Sequence, residues 1–328
     1  MKRLLAIAAT LLATSSALGE DATVNAVQLQ SFFGAGVGQQ VQGLVYRGGL
    51  QLNSATDTFG GLSAIGFVGS EGKLVMVSDR GNFVSGQLIY DENEQPLSLV
   101  GVQIVPIQNS RGADLPSDFA RDSEALAIIE RPDNRSVVRV GFENLTRVAD
   151  FHLENGIPTG PATEVMIPQW LAGAQTNDSL EAVCLAPPAS PVAGSTLLLT
   201  EGVIAGDGAH AAYLLGKSDK GPLSYVSGGG TVPTDCAFLP NGDLLVLERG
   251  VVLISFAARL VRIKAADVKP GAQMNGEVLF EGTGGDLDNM EGVAVHTTPA
   301  GQTRITLISD DNFNDWERNL LLEFSLPE

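Results

Sequence analysis

Short apolar runs bounded by Gly, Asn, Asp and Pro dominate the chain, and segments with helical periodicity are scarce. Such a pattern predicts many short strands joined by tight turns. The runs are self-similar. Five segments follow one plan: a small or acidic residue, an apolar strand, a turn, a second apolar strand, then an acid near Gly or Asn. The first joins Gly60-Gly61-Leu62-Ser63-Ala64-Ile65 to Leu74-Val75-Met76-Val77-Ser78-Asp79-Arg80-Gly81. The second joins Asp122-Ser123-Glu124-Ala125-Leu126 to Val140-Gly141-Phe142-Glu143-Asn144, and the third joins Asp178-Ser179-Leu180-Glu181-Ala182-Val183 to Leu198-Leu199-Thr200-Glu201-Gly202. Pro233-Thr234-Asp235-Cys236-Ala237 leads to Leu245-Val246-Leu247-Glu248-Arg249-Gly250, and Asn289-Met290-Glu291-Gly292-Val293 leads to Leu307-Ile308-Ser309-Asp310-Asp311-Asn312.

Two further strand-like runs follow each pair, so each unit reads as a four-stranded blade and the whole as an all-β propeller. The last unit has only three strands before Glu328, and Val41 to Leu52 offers the fourth. Closing the ring with both termini in one blade would remove open sheet edges. The repeats count to five blades. Val24 to Phe33 is a strand without a unit, which leaves a sixth, degenerate blade open.

Antiparallel neighbours place the start of one strand and the end of the next at the same rim. With the first strand on the axis, Glu124, Glu181, Asp235 and Glu291 form one set around the channel mouth. Asp79, Glu143, Glu201, Glu248 and Asp310 form a second set just outside it. Ser63 stands where the first blade lacks an acid. Anions gathered this densely repel one another and take up protons or cations. Carboxylates with amides suit Ca²⁺, and Asn144, Asn177, Asn289 and Asn312 stand beside the acids. Gly284-Gly285-Asp286-Leu287-Asp288-Asn289 leads directly into Glu291 and adds Asp288 and Asn289 to the candidate ligands. Softer metals are disfavoured, because the chain has three His and none is paired at ligand spacing. Arg80 and Arg249 follow outer acids directly and could clamp phosphate oxygens, or simply pair with a neighbouring acid.

Lys2 and Arg3, the apolar run Leu4 to Leu12, and Ala17-Leu18-Gly19 have the layout of a secretory signal peptide cut before Glu20. Residues 1–19 are thus expected to be removed, leaving 20–328 as one propeller domain in the periplasm or outside the cell. The formal charge of -18 excludes nucleic acid as a partner and disfavours anionic membrane surfaces. A small-molecule substrate, phosphorylated in the favoured reading, and a monomer are the expectation. Cys184 and Cys236 are the only thiols and are compatible either with one disulfide or with two buried small residues.

Phe59-Gly60-Gly61-Leu62-Ser63, Ser78-Asp79-Arg80-Gly81, Asp122-Ser123-Glu124-Ala125, Asn177-Asp178-Ser179-Leu180-Glu181-Ala182 and Ser309-Asp310-Asp311-Asn312-Phe313 together resemble the phytase-like family, also called esterase-like activity of phytase. The resemblance runs from about Tyr46 to Leu326 and implies exported propellers with phytase-type phosphoester hydrolysis. Ser179 departs from the pattern, since relatives more often have Gly there. A serine triad is a poor fit: Gly61-Leu62-Ser63-Ala64-Ile65 lacks the second Gly of a nucleophile elbow and precedes a strand. The favoured function is a Ca²⁺-dependent phosphoesterase in which Asp79, Arg80, Glu124, Glu181 and Glu291 carry the chemistry. A non-enzymatic, calcium-stabilised binding propeller and a single-calcium lactonase or arylesterase are the alternatives.

If the axis gathers these acids, Glu181→Gln and Glu291→Gln should each reduce the rise in melting temperature that Ca²⁺ produces. An unchanged rise in both variants would contradict the arrangement.

Overall fold

The computed structural model describes residues 19–132, 135–216 and 220–327. The expected signal peptide, apart from Gly19, lies outside the described residues. Five sheets, antiparallel apart from the short pair of Gly221–Tyr225 with Gln273–Met274, form a ring, each led by an inner strand: Leu62–Val68, Ser123–Ile129, Ala182–Leu185, Val232–Phe238 and Asn289–Thr297. Each inner strand packs against the inner strands of the two neighbouring blades, and the fifth returns to the first. The fold is a five-bladed β-propeller.

The ring closes in the fifth blade. Its three C-terminal strands, Asn289–Thr297, Thr303–Asp310 and Asn319–Ser325, are completed by Leu44–Ser54 in a register running from Asn319↔Leu52 to Ser325↔Val45. Val24–Leu29, the strand left without a unit, pairs with the outer side of Leu44–Ser54. It therefore widens the fifth blade to five main strands and starts no sixth. Glu20–Ala22 does the same for the first blade by pairing with Pro96–Pro106.

Apolar side chains fill the space between blades, with Leu74, Met76, Leu198, Leu199, Leu245 and Leu247 all fully buried. Burying each such side chain contributes roughly 1.5–3 kcal/mol, and the strands' β-branched and leucine-rich runs supply many of them. Small residues are needed where inner strands approach. A Cβ on Gly292 would lie 3.1 Å from the Cα of Ala64 in the next blade. The middle of the axis is apolar, lined by Ile65, Leu126, Val183, Ala237 and Val293. Among the described residues, no helix is long and apolar enough to cross a membrane.

Cys184 and Cys236 form a disulfide with Cα atoms 5.9 Å apart, joining the inner strands of the third and fourth blades. The alternative of two separate buried thiols is thereby set aside. Bridging residues 52 apart restricts the unfolded chain. Replacing both cysteines with Ser should cost about 2–5 kcal/mol, read as a lower denaturant midpoint under non-reducing conditions. An unchanged midpoint would show that the bridge adds nothing to the ring.

Candidate functional site

The inner strands all start at one end of the axis, and four of the five begin with the same irregularity. Pairing with the second strand skips one residue between Leu62 and Ala64, Ser123 and Ala125, Pro233 and Asp235, and Met290 and Gly292. A bulge of this kind bends the strand and re-aims the extra side chain. The bulged residues are Ser63, Glu124, Thr234 and Glu291; Glu181 immediately precedes the third inner strand and donates its amide to Leu199. Two positions past the residue paired at the bulge's end, the second strands present Asp79, Glu143, Glu201, Arg249 and Asp310.

All of these except Ser63 and Thr234 line a cavity of about 290 Å³ at the channel mouth. Its lining comprises Asp79, Glu124, Glu143, Asn177, Glu181, Glu201, Arg249, Asn289, Glu291, Asp310 and Asn312 from the sequence expectation, together with Asp122 and Asp178. Ligand oxygens of Asp122, Glu124 and Glu143 all lie within 4.8 Å of one another. Asn144 donates to Asp122 and, at 3.2 Å, to the side-chain oxygen of Asn177. Arg249 bonds Glu291 and, at 2.7 Å, Asn289, with Glu201 3.8 Å away.

Four expected residues lie elsewhere, and the fourth blade explains two of them. Asp235 falls one position after the bulge, at the place of Ala64, Ala125 and Gly292. A slip of one residue turns a strand side chain to the other face. Asp235 accepts from its neighbour's amide, Cys236 N (2.7 Å), and from Val293 N in the fifth blade (2.8 Å), which makes it a staple between blades. Glu248 likewise falls one position before Arg249 and turns into the blade. There it accepts from Tyr225, Thr231, Gly228 and Arg259. The fourth blade therefore brings Arg249 to the ring in place of an acid, while Thr234 at its bulge is buried and donates to Met290 O at 3.3 Å. Asp288 pairs with Arg318 at 2.8 Å and is not among the cavity-lining residues. Arg80 lies with its guanidinium 3.3 Å above the centroid of Phe313, a cation–π contact outside the cavity lining.

The Gly60-Gly61 pair is shaped by the acids behind it. The Gly61 amide donates to Asp311 Oδ1 at 2.9 Å, and its φ of +61° is one that Gly adopts freely. A Cβ there would strike the Asp79 carboxylate and the Phe313 ring. Sequence reasoning quoted Asp122 and Asp178 within its motifs but did not count them among the site acids.

Burial dominates the electrostatics. It pushes Glu291 up to about 8, against the opposing pull of Arg249. Burial likewise raises Glu143 to about 7, Asp310 to about 7 and Asp79 to about 6. Glu124 and Glu181 are raised well above the ordinary range by burial and then by the charges of Glu143 and their other acidic neighbours.

The fold and mouth define the chain as a propeller with an acidic axial site. A family profile described as phytase-like, esterase-like activity of phytase, matches residues 57–313. The chain belongs to this family. No curated protein matches the sequence significantly. Among solved structures, the PQQ-bound form of an aldose sugar dehydrogenase from Streptomyces coelicolor is similar at 12% identity and a TM-score of 0.41, covering 84% of this chain and 98% of that one. So distant a likeness says nothing of what this chain binds.

The raised carboxyls set a pH dependence. In the unfolded chain they ionise near pH 4, whereas the folded protein holds their protons longer. Through that window the folded state binds more protons, so stability falls as pH rises. In chelator, the melting temperature should drop between about pH 5 and pH 8, and Ca²⁺ should flatten the slope. A melting temperature that rises across this range in chelator would contradict the assignment.

Proposed function

We propose that the protein is an exported, cation-dependent ester hydrolase whose first substrates are phosphoesters. The convergence of Asp122, Glu124 and Glu143 on one point, in a cavity that also holds the Arg249 guanidinium, carries this reading. The donor set fits a hard cation such as Ca²⁺, since it consists of carboxylate and amide oxygens. Glu143 Oε2 is buried with no hydrogen-bond partner, so a ligand oxygen is left unengaged. Asp122, Glu124 and Glu143 would hold the ion, with Glu181 and Asn177 beside them. When bound, it would polarise an ester oxygen, favour ionisation of a water and offset the repulsion of an anionic substrate.

The chain's own residues supply the rest. Arg249 is held by Asn289 and Glu291, which fixes its planar fork to receive an anionic oxygen. Asp79 and Asp310 titrate near neutral pH and can return a proton to a departing alkoxide. The Cys184–Cys236 bridge supports export to an oxidising compartment. The pairing of Arg249 with Glu291 and Glu201 favours a second reading, in which cations and Arg249 only hold the blade ends together.

Metal analysis of the mature protein, with phosphate esters, lactones and aryl esters assayed with and without chelator, separates these readings. Phosphoester hydrolysis should vanish in chelator and return with Ca²⁺, and Glu143→Gln should lower kcat/KM about a hundredfold or more. Hydrolysis that survives complete cation removal would contradict the proposal, as would metal that binds without any turnover.

A further inference from the structure

The end of the propeller that carries the acids is also ringed with exposed apolar side chains. Five connections at this end each contribute one or two, close in sequence to a cavity-lining residue. Phe119 precedes Asp122, Leu145 follows Glu143, Ile204 follows Glu201, Leu253 and Ile254 follow Arg249, and Trp316 follows Asn312. Leu253, Ile254 and Trp316 are 95%, 98% and 93% exposed. The opposite end is different. Among the described residues, its turns, such as Gly69 to Gly72, Asp91 to Gln95, Asn241 to Asp243 and Thr298 to Gln302, carry no exposed large apolar side chain. Isolated exposed apolar residues, such as Leu97 and Val278 on outer strands, are ordinary, but several grouped at the end that carries the cavity, two of them on one hairpin tip, are not.

The fourth blade shows the device most clearly. Pairing of its second strand with the inner strand ends at Val232↔Arg249, while pairing with the third strand continues to Val252↔Ser255. The hairpin therefore projects beyond the inner strand at the end that carries the mouth. Its two-residue tip is Leu253-Ile254, and Leu253 has φ +57°, a conformation that favours Gly or Asn. A tip that served only to turn the chain in water would not hold two almost fully exposed aliphatic side chains there.

We propose that this apolar rim binds the hydrocarbon or aryl part of the substrate, so that the site takes amphiphilic esters. The polar ester group enters the acidic mouth, and the apolar group lies against the rim led by Leu253 and Ile254. Continuity supports this occupant: the strand that places Arg249 in the cavity runs within four residues to the exposed tip. The strong negative charge of the chain favours single amphiphiles over an anionic bilayer. The inference rests on the hydrolase reading above and names its substrate class.

The test is a series of alkyl p-nitrophenyl phosphodiesters, methyl to octyl, assayed with Ca²⁺ below micelle-forming concentrations. For the wild type, kcat/KM should rise at least about tenfold along the series, since each covered CH₂ adds to binding. The double variant L253S/I254S should lose most of the octyl-to-methyl ratio at an unchanged melting temperature, whereas Leu97→Ser, an exposed apolar site on an outer strand, should keep it. The same ratio in L253S/I254S as in the wild type would overturn the rim. Hairpin-dependent binding to zwitterionic vesicles with no chain-length effect would also overturn it, in favour of a membrane contact. If no diester is hydrolysed, the hydrolase reading is decided by the wider ester panel above and not by this series. Calorimetric binding of octyl phosphate against methyl phosphate, in the presence of Ca²⁺, then decides the rim: tighter octyl binding that the double variant loses supports it, and equal affinities overturn it.

Discussion

Five inner strands that all start at the same end of one axis impose a single constraint: whatever side chain each strand presents first must share a small space with the other four. The bulges at Ser63, Glu124, Thr234 and Glu291 sharpen this by turning one extra residue per strand toward the mouth. Nothing else in the fold would bring Glu124 of the second blade near Glu291 of the fifth, which raises its pKa. Ring closure by Leu44–Ser54 matters for the same reason, because it fixes the fifth inner strand against the first.

The constraint works against stability in the bare protein. Buried carboxylates without partners disfavour their own ionisation, and the mouth answers with three devices. Protons are retained on Glu143, Glu291 and Asp310 toward neutral pH. Arg249 enters the ring where the other blades carry an acid. Oxygen donors at Asp122, Glu124 and Glu143 converge closely enough to share one cation. A cation would replace the protons and turn an electrostatic liability into a binding site. The apolar rim then surrounds a polar centre, which is the arrangement an amphiphile would match.

The propeller and its velcro closure were legible in the sequence because they depend on repetition: apolar strands recur with turns between them, and the last unit is one strand short. Blade number was legible from the same units, whereas the places of Val24–Leu29 and Glu20–Ala22 depended on pairing outside the repeat. The acids of the mouth were legible where the acid itself holds the ring position, as at Glu124, Glu181 and Glu291. It was misread in the fourth blade, where Asp235 and Glu248 each adjoin the ring position. Composition cannot tell a bulged residue from its neighbour, and one residue of register decides whether a carboxylate faces the axis or staples two blades. Asp122 and Asp178 went uncounted because they lie in connections, whose course no strand periodicity foretells.

The central claim is that cations replace protons in the mouth. Calorimetric titration of Ca²⁺ into the chelator-stripped protein at pH 7, repeated in buffers of different ionisation enthalpy, counts the protons released on binding. The account predicts saturable binding with net proton release at pH 7 that shrinks as pH rises past about 8, where Glu143, Asp310 and Glu291 give up their protons. Saturable binding with no proton release at pH 7, or no binding at all, would contradict it.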